Sequence, residues 1–191
     1  MPPKIILVDI DGPLADFESE FLKKWKEKFP GDFFIPFEQR KNFFLNDDYP
    51  EHLRKKAADI IEASGFFAEL APVPGGIDAI KKMAALGHRV FLCTSDIYMN
   101  KTGLADKRMW VKKYLGHDFA KTMIFTRDKT LVRGDYLVDD KPEITGMFAP
   151  EWEHIIFDQP FNRNITNKSR IKMDWSNWED IIQVDLEHVL K

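Results

Sequence analysis

The feature that most constrains this chain is a short apolar run that ends in two closely spaced carboxylates. Residues 5–8 are too few for a helix and rich in Ile and Val, so they predict a buried β-strand. Asp9 and Asp11 follow directly, and Gly12 and Pro13 then end the strand. A parallel strand of an α/β fold delivers the residues after it to the carboxyl edge of the sheet, where such folds place their sites.

Two carboxylates at such an edge need a compensating charge. Burial and mutual repulsion both disfavour the ionised forms of Asp9 and Asp11, and a divalent cation is the usual compensation. The alternative is a strand that ends in an ordinary polar turn. A single Asp would favour that alternative, whereas Asp-x-Asp-Gly after a buried strand favours a metal or phosphate site.

Length and composition limit the class of protein. A chain of 191 residues fits one domain, or one domain with a modest insertion. The net charge of −3, without a long run of like charge, argues against a nucleic-acid polymer as the main partner. No apolar stretch is long enough to span a bilayer, and the first strand begins too early to leave room for a signal peptide. We therefore expect a cytoplasmic protein with no membrane partner.

Cys93 is the one cysteine of the chain, so no intrachain disulfide can form. It ends an apolar run and is expected to be a small core residue rather than a nucleophile.

Helix and strand patterns alternate through most of the chain. Short apolar runs predict strands over residues 90–93, 122–125, 136–138 and 154–157. Amphipathic patterns predict intervening helices over residues 77–86 and 104–115, and a mostly helical tail over residues 175–190. This alternation predicts an α/β fold, a three-layer sandwich whose parallel central sheet also includes the first strand.

Residues 17–73 interrupt this alternation directly after the acidic turn. Helical patterns over residues 17–29 and 51–63 flank an irregular aromatic segment. We expect a small helical cap over residues 17–73, inserted into a core formed by residues 1–16 and 74–191.

A set of polar residues shares one position, directly after a predicted strand: Thr94, Ser95, Lys129, Asp139 and Asp140. Each is weak evidence alone, because Thr-Ser often caps a helix and Asp-Asp often lies in a loop. Their coincidence on one edge of one sheet predicts phosphate or metal chemistry there.

The order of these residues resembles the haloacid dehalogenase (HAD) superfamily of phosphotransferases, in which Asp-x-Asp precedes a Thr or Ser, a Lys and a final acidic pair. Over nearly its whole length the chain is similar to the 5′(3′)-deoxyribonucleotidases. The segments that carry this similarity are residues 8–18, 126–130, 138–142 and 152–154. The resemblance implies a HAD-like Rossmannoid fold, a magnesium-dependent phosphatase of (deoxy)ribonucleoside monophosphates, and a homodimer.

Some positions depart from the family pattern. Pro13 stands where an aliphatic residue is usual, and Lys141 replaces Arg. Residues 43–45 read Phe-Phe-Leu where the animal enzymes resemble Phe-Trp-Val, and Ile61 lies where those enzymes have a large aromatic residue. These changes leave the acidic residues intact and bear on base preference.

The resemblance and the chemistry of the side chains together suggest roles for the acidic residues. Asp9 is the expected nucleophile, which forms an aspartyl-phosphate, and Asp11 the expected general acid, with a turn-capping Asp as the alternative. Mg²⁺ would be held by Asp9, the backbone carbonyl of Asp11 and Asp140. Asp139 would bind it through water or position Lys129.

The expected phosphate-binding set is Asp11, Gly12, Thr94, Ser95, Lys107 and Lys129. The hydroxyls would donate to phosphoryl oxygens, and glycine lets the backbone approach them closely. A lysine is needed because negative charge spreads over these oxygens. Lys107, near the start of a predicted helix, has an exposed helix lysine as its alternative. Lys129 is favoured for direct contact.

Phe17, Phe43, Phe44 and Leu45 are expected to form a wall on which a nucleobase stacks, with ordinary core residues as the alternative. An apolar pocket without a partner for a 2′-hydroxyl would disfavour ribonucleotides, because that hydroxyl would be buried unpaired.

Two other functions stay open. The first is a HAD phosphatase that acts on another small phosphate ester. The second is a phospho-accepting signalling domain of the receiver type, in which the acidic pair comes first and the phosphorylated Asp lies on a middle strand.

Overall fold

A computed structural model describes residues 2–182, and within them six strands form one central sheet. The strands are β1 (Ile5–Val8), β2 (Arg89–Thr94), β3 (Ile124–Phe125), β4 (Tyr136–Asp139), β5 (Glu153–Phe157) and β6 (Arg170–Ile171). Their order is β3-β2-β1-β4-β5-β6, and every neighbouring pair is parallel. The predicted α/β fold with a parallel central sheet is confirmed.

The helices occupy α1 (Phe17–Lys28), α2 (Leu45–Asp48), α3 (Glu51–Ile61), α4 (Gly76–Ala85), α5 (Gly103–Tyr114), α6 (His117–Lys121) and α7 (Trp178–Ile181). Across the described part of the chain, none of them combines the length and apolar character needed to cross a bilayer.

The structure corrects three details of the predicted elements. The strand expected over residues 122–125 begins only at Ile124, because Thr122 ends α6 and its hydroxyl donates to the carbonyl of Asp118 at 3.1 Å. The tail helix begins at Trp178 rather than at residue 175, where the backbone has a φ of 59°. The remainder of that expected helix, residues 183–190, lies outside the described residues. The two-residue strand β6 was not predicted.

The core is built on both faces of the central strand. Ile6, Leu7 and Val8 of β1 are completely buried, as expected for a strand that is covered on both sides. Cys93 is also completely buried, and burial raises the pKa of its thiol to about 12. The expectation that Cys93 is a core residue is therefore confirmed.

Residues 17–73, all of them described, contain helices and turns but no strand, and they lie between β1 and β2 in the chain. The chain leaves and re-enters the sheet at one place, because the Asp16 amide donates to the Ala71 carbonyl and the Val73 amide donates to the Leu14 carbonyl, both at 2.8 Å. The division of the molecule into core and cap stays a prediction.

The strand order also separates this fold from receiver domains. Receiver domains have the flavodoxin-like order 2-1-3-4-5, in which strand 1 lies between strands 2 and 3. In this structure β1 lies between β2 and β4.

Candidate active site

The acidic turn begins as a continuation of the sheet. The Asp9 amide donates to the Val138 carbonyl at 2.9 Å, so the backbone of Asp9 is still fixed by the neighbouring strand. Gly12 follows with a φ of +92°, and a Cβ at that position would collide with the Asp140 carboxylate. Glycine is therefore needed here both for its backbone conformation and for the close approach.

Three carboxylates converge on this turn. Asp9, Asp139 and Asp140 each offer an oxygen, and these oxygens lie within 4.8 Å of one another. Burial raises the pKa of Asp140 well above its ordinary value, and the charges of Asp139 and Asp9 raise it further. Burial also raises the pKa of Asp9. The Oδ1 atoms of Asp9 and Asp140 are buried without a hydrogen-bond partner.

This geometry fits a hard divalent cation. Oxygen ligands of high negative charge are those that Mg²⁺ and Ca²⁺ prefer, and the buried Asp140 carboxylate, which forms no ion pair within the described residues, needs a counter-charge. The carboxylate of Asp11 does not join the three that converge, which leaves its backbone carbonyl for the role expected from the sequence.

Lys129 lies against the acidic cluster. Its Nζ donates to Asp139 Oδ2 at 2.5 Å and lies 3.0 Å from Asp9 Oδ1, at ion-pair distance but outside hydrogen-bond geometry. Burial lowers the pKa of Lys129, but the charges of Asp139 and Asp9 outweigh burial and raise the pKa above its ordinary value. The second carboxylate oxygen of Asp139 accepts from the Lys141 amide at 2.9 Å.

Lys107 forms a second cationic centre. The alternative of an exposed helix lysine is wrong, because only 1% of Lys107 is exposed. Its Nζ lies 2.6 Å from Asp11 Oδ2 and donates to Thr94 Oγ1 at 3.2 Å and to the Ser95 carbonyl at 2.6 Å. Burial raises the pKa of Asp11, and the charge of Lys107 partly offsets that shift.

The two lysines therefore sit on different carboxylates. Lys129 pairs with Asp9 and Asp139, whereas Lys107 pairs with Asp11 beside the hydroxyl of Thr94. The preference for Lys129 as the direct phosphate contact stays a prediction.

A cavity of about 260 Å³ opens over this edge of the sheet. Its polar end is lined by Asp9, Asp11, Gly12, Ser95 and Asp140. Its apolar wall is formed by Phe17, Phe43, Phe44, Leu45, Ile61 and Phe161. The structure thus places all four aromatic and aliphatic residues expected to form the wall around the cavity that the acidic turn also lines.

Other residues of this cavity were not predicted from the sequence. Asp96 and Ile97 follow β2, and Phe161 follows β5. The rule that sites lie after the carboxyl ends of parallel strands could have found all three. Glu18 also lines the cavity, although the sequence gives no sign that a helical glutamate faces inward.

Comparisons with known proteins agree with this arrangement. A solved structure from Burkholderia xenovorans, described as a haloacid dehalogenase-like hydrolase, superposes with a TM-score of 0.52 at 16% identity over the whole of both chains. A family model described as "5' nucleotidase, deoxy (Pyrimidine), cytosolic type C protein" matches residues 3–188. Together they define a phosphoric monoester hydrolase with the HAD-like fold.

Two human relatives narrow the family. The mitochondrial 5′(3′)-deoxyribonucleotidase is 45% identical over 84% of this chain and 72% of its own length. The cytosolic-type 5′(3′)-deoxyribonucleotidase is 40% identical over 93% of this chain and 92% of its own length. The chain belongs to the 5′(3′)-deoxyribonucleotidase family.

Proposed function

We propose that this protein hydrolyses the phosphate of deoxyribonucleoside monophosphates. The observation that carries the proposal is the single cavity that joins Asp9 and Asp11 to an aromatic wall. One end of that cavity suits a phosphate, and the other offers rings on which a base can stack. The relatives' names and the family match support the same substrate class.

Asp9 would act as the nucleophile. Its carboxylate attacks phosphorus, and the bond between phosphorus and the sugar oxygen breaks to leave an aspartyl-phosphate. Asp11 gives its proton to the departing sugar oxygen and later takes a proton from the water that hydrolyses the aspartyl-phosphate. Burial raises the pKa of Asp11, which favours the protonated form that the first step requires.

Mg²⁺ is the proposed cofactor. The carboxylates of Asp9 and Asp140 and the backbone carbonyl of Asp11 would hold it, with Asp139 in the outer shell, where it also holds Lys129. When bound, the ion supplies the positive charge that lets a phosphate dianion approach clustered carboxylates. Thr94 and Ser95 would position the phosphoryl oxygens, Gly12 would let the backbone approach them closely, and the lysines would balance their charge.

The apolar wall supports a preference for deoxyribose. The apolar side chains of this wall offer no hydrogen-bond partner to a ribose 2′-hydroxyl, so burying that hydroxyl against them costs about 1–3 kcal/mol. The preference is for dUMP or dTMP over UMP.

A homodimer and a cytoplasmic location complete the proposal. The family resemblance supports the dimer, and the relative with a cytosolic-type name supports the location. Light scattering after gel filtration tests the dimer. Fractionation of cells tests the compartment, and recovery in mitochondria, where the name of one relative places that protein, would contradict the cytoplasmic location.

The test is a phosphate-release assay over deoxyribonucleotides, ribonucleotides, sugar phosphates and p-nitrophenyl phosphate, with and without Mg²⁺. We expect Mg²⁺-dependent turnover with dUMP or dTMP as the best substrates. A preference for sugar phosphates over every nucleotide would keep the phosphatase chemistry and overturn the nucleotide specificity, in favour of a HAD phosphatase of another small ester.

A further inference from the structure

The segment that carries half of the residues of the apolar wall has little structure of its own. Phe43, Phe44 and Leu45 lie at the start of α2, which is only four residues long, and 61% of Phe44 is exposed. A helix this short is not stable by itself. Contacts from outside the segment must therefore hold these side chains against the cavity.

Arg40 supplies these contacts from a buried position. It is 4% exposed, and its guanidinium reaches four partners. Nη1 donates to Glu18 Oε1 at 2.5 Å, and Nε donates to Asp48 Oδ2 at 2.6 Å. Nη2 donates to the carbonyls of Asn42 at 2.9 Å and Phe43 at 3.4 Å. Charge-assisted hydrogen bonds of this kind are the strongest that side chains form.

The partners of Arg40 span the two sides of the wall. Glu18 is next to Phe17, which lines the cavity from α1, and Asp48 is the last residue of α2. The guanidinium also lies 5.6 Å from the ring of Phe161, which follows β5. One side chain thus connects α1, the segment of residues 40–48 and the chain beyond β5.

Asp48 also forms contacts within the segment of residues 40–48. Its carboxylate also accepts from the Asn42 side chain at 2.8 Å. Burial raises the pKa of Asp48, but the hydrogen bonds from Arg40 and Asn42 outweigh burial and lower the pKa below its ordinary value. Asp48 is therefore ionised at neutral pH and stays paired with Arg40.

We propose that Arg40 is a positioning residue for the nucleobase, which sets how the Phe43–Leu45 wall faces the acidic turn. The inference rests on the proposed function and deepens it, because it assigns base selection to a residue that does not line the cavity. A substrate without an aromatic ring gains nothing from stacking on this wall, so Arg40 should affect dUMP and leave 2-deoxyribose 5-phosphate, which has no base, unaffected.

Arg40→Lys is the direct test. Lysine keeps the positive charge but has no planar fork, so it cannot serve Glu18 and Asp48 in the same geometry. We expect the KM for dUMP to rise about tenfold, the scale of losing one charge-assisted hydrogen bond, with kcat changed less than about twofold. Both constants for 2-deoxyribose 5-phosphate should stay close to those of the wild type.

Two further variants keep the test decisive. Asp48→Asn weakens one contact of Arg40 without removing the guanidinium, and it should shift the same KM in the same direction by a smaller factor. Arg133→Lys is the matched control, because Arg133 pairs with Glu151 at an exposed position before β4, at the opposite edge of the sheet. It should leave both substrates unaffected. Melting temperatures identify any variant that fails to fold, and Asp48→Asn then decides the question.

The outcomes separate the two claims. A wild type that does not hydrolyse nucleotides overturns the proposed function and the inference together. If the wild type is active on nucleotides, and Arg40→Lys and Asp48→Asn change dUMP and 2-deoxyribose 5-phosphate kinetics equally or not at all, only the inference is overturned. A rise in KM confined to nucleotides supports it.

Discussion

The two ends of the cavity are built in different ways. At the end proposed for phosphate, the acidic and hydroxyl groups stand at the ends of buried parallel strands or are paired with groups there, and Lys107 is 1% exposed. At the end proposed for the base, the wall depends on a four-residue helix and a surface segment, and Phe44 is 61% exposed. The sheet fixes the residues at the first end, whereas contacts of the buried Arg40 hold the segment that forms much of the second.

This difference separates two contributions to the reaction. Groups fixed on the sheet can be held where charge develops in the transition state, which is how catalytic groups raise kcat. A wall that stacks on a base holds substrate and transition state equally, which lowers KM without raising kcat. Changes at the two ends should therefore differ in size and in the substrates that they affect.

The largest effect is expected from Asp9→Asn. The amide keeps the shape of the side chain but cannot attack phosphorus, so kcat should fall by several orders of magnitude on every substrate. The melting temperature should change little, since the substitution also relieves crowding among carboxylates. Asp135→Asn is the control, because it removes a carboxylate that pairs with Lys4 just before β4, and this variant should remain active. Activity of Asp9→Asn near that of the wild type would refute the assignment of Asp9 as the nucleophile.

Removal of metal should abolish turnover on nucleotides and on p-nitrophenyl phosphate alike. EDTA should stop phosphate release, and added Mg²⁺ should restore it, because three converging carboxylates repel a phosphate dianion. Asp140→Asn should raise the Mg²⁺ concentration needed for half-maximal activity. Full turnover in metal-free buffer would contradict the proposed cofactor.

The two lysines should differ in their pH profiles. Lys107→Met removes the charge that partly offsets the raised pKa of Asp11, so that pKa should rise further. A general acid works below its pKa, so the alkaline limb of kcat should move to higher pH. Lys129→Met should lower kcat about 100-fold, weaken inhibition by inorganic phosphate and move that limb less than Lys107→Met does, because the charge of Lys129 lowers the pKa of Asp11 less than that of Lys107. The exposed Lys55→Met is the control. An alkaline limb that moves only in Lys129→Met would reverse the two assignments.

At the base end, Phe44→Ala should weaken dUMP binding by about 1–3 kcal/mol, the scale of one lost base–aromatic stack. Calorimetry on the Asp9→Asn background measures binding without turnover. Phe33→Ala is the matched control, since Phe33 is equally exposed at 61% and does not line the cavity. Equal affinities of dUMP for the two variants would show that Phe44 is not part of the wall.

The smallest effect concerns stability rather than either end of the cavity. Burial, and then the charge of Lys168, lowers the pKa of His154 to about 4 from 6.5. The unfolded state then binds more protons in that range, so stability is present above about pH 6.5 and falls as the pH drops towards 4. In His154→Gln the loss of unfolding free energy between neutral pH and pH 5 should be about 1–2 kcal/mol smaller than in the wild type, as measured by urea unfolding. An unchanged pH dependence of that free energy would contradict the lowered pKa of His154.

The fold could be predicted largely from β1 and the alternation that follows residue 76, because buried strands and amphipathic helices have distinct periodicities. The strand β6 could not be predicted, because its two residues, Arg170 and Ile171, are too few to show a periodic pattern. Residues that follow strand ends were predicted for the same reason, because topology alone brings them to one edge.

Side chains that reach the site from helices and loops were harder to predict. Lys107 is typical of an exposed helix lysine until its burial is seen, and only the resemblance argued otherwise. Nothing in the sequence indicated a role for Arg40. Its partners Glu18 and Asp48 do not share a helical or strand periodicity with it, and they meet it only in the folded chain. Pairing of buried charges depends on tertiary packing, which local sequence does not encode.

The central claim is that phosphate chemistry and base selection occupy separate ends of one cavity. The most direct test compares kcat/KM for dUMP with kcat/KM for 2-deoxyribose 5-phosphate, which lacks an aromatic ring, in the wild type, Asp9→Asn and Phe44→Ala. The account predicts that Asp9→Asn lowers both values together and leaves their ratio close to that of the wild type. Phe44→Ala should lower the ratio about tenfold or more, and a ratio unchanged in Phe44→Ala would contradict the claim.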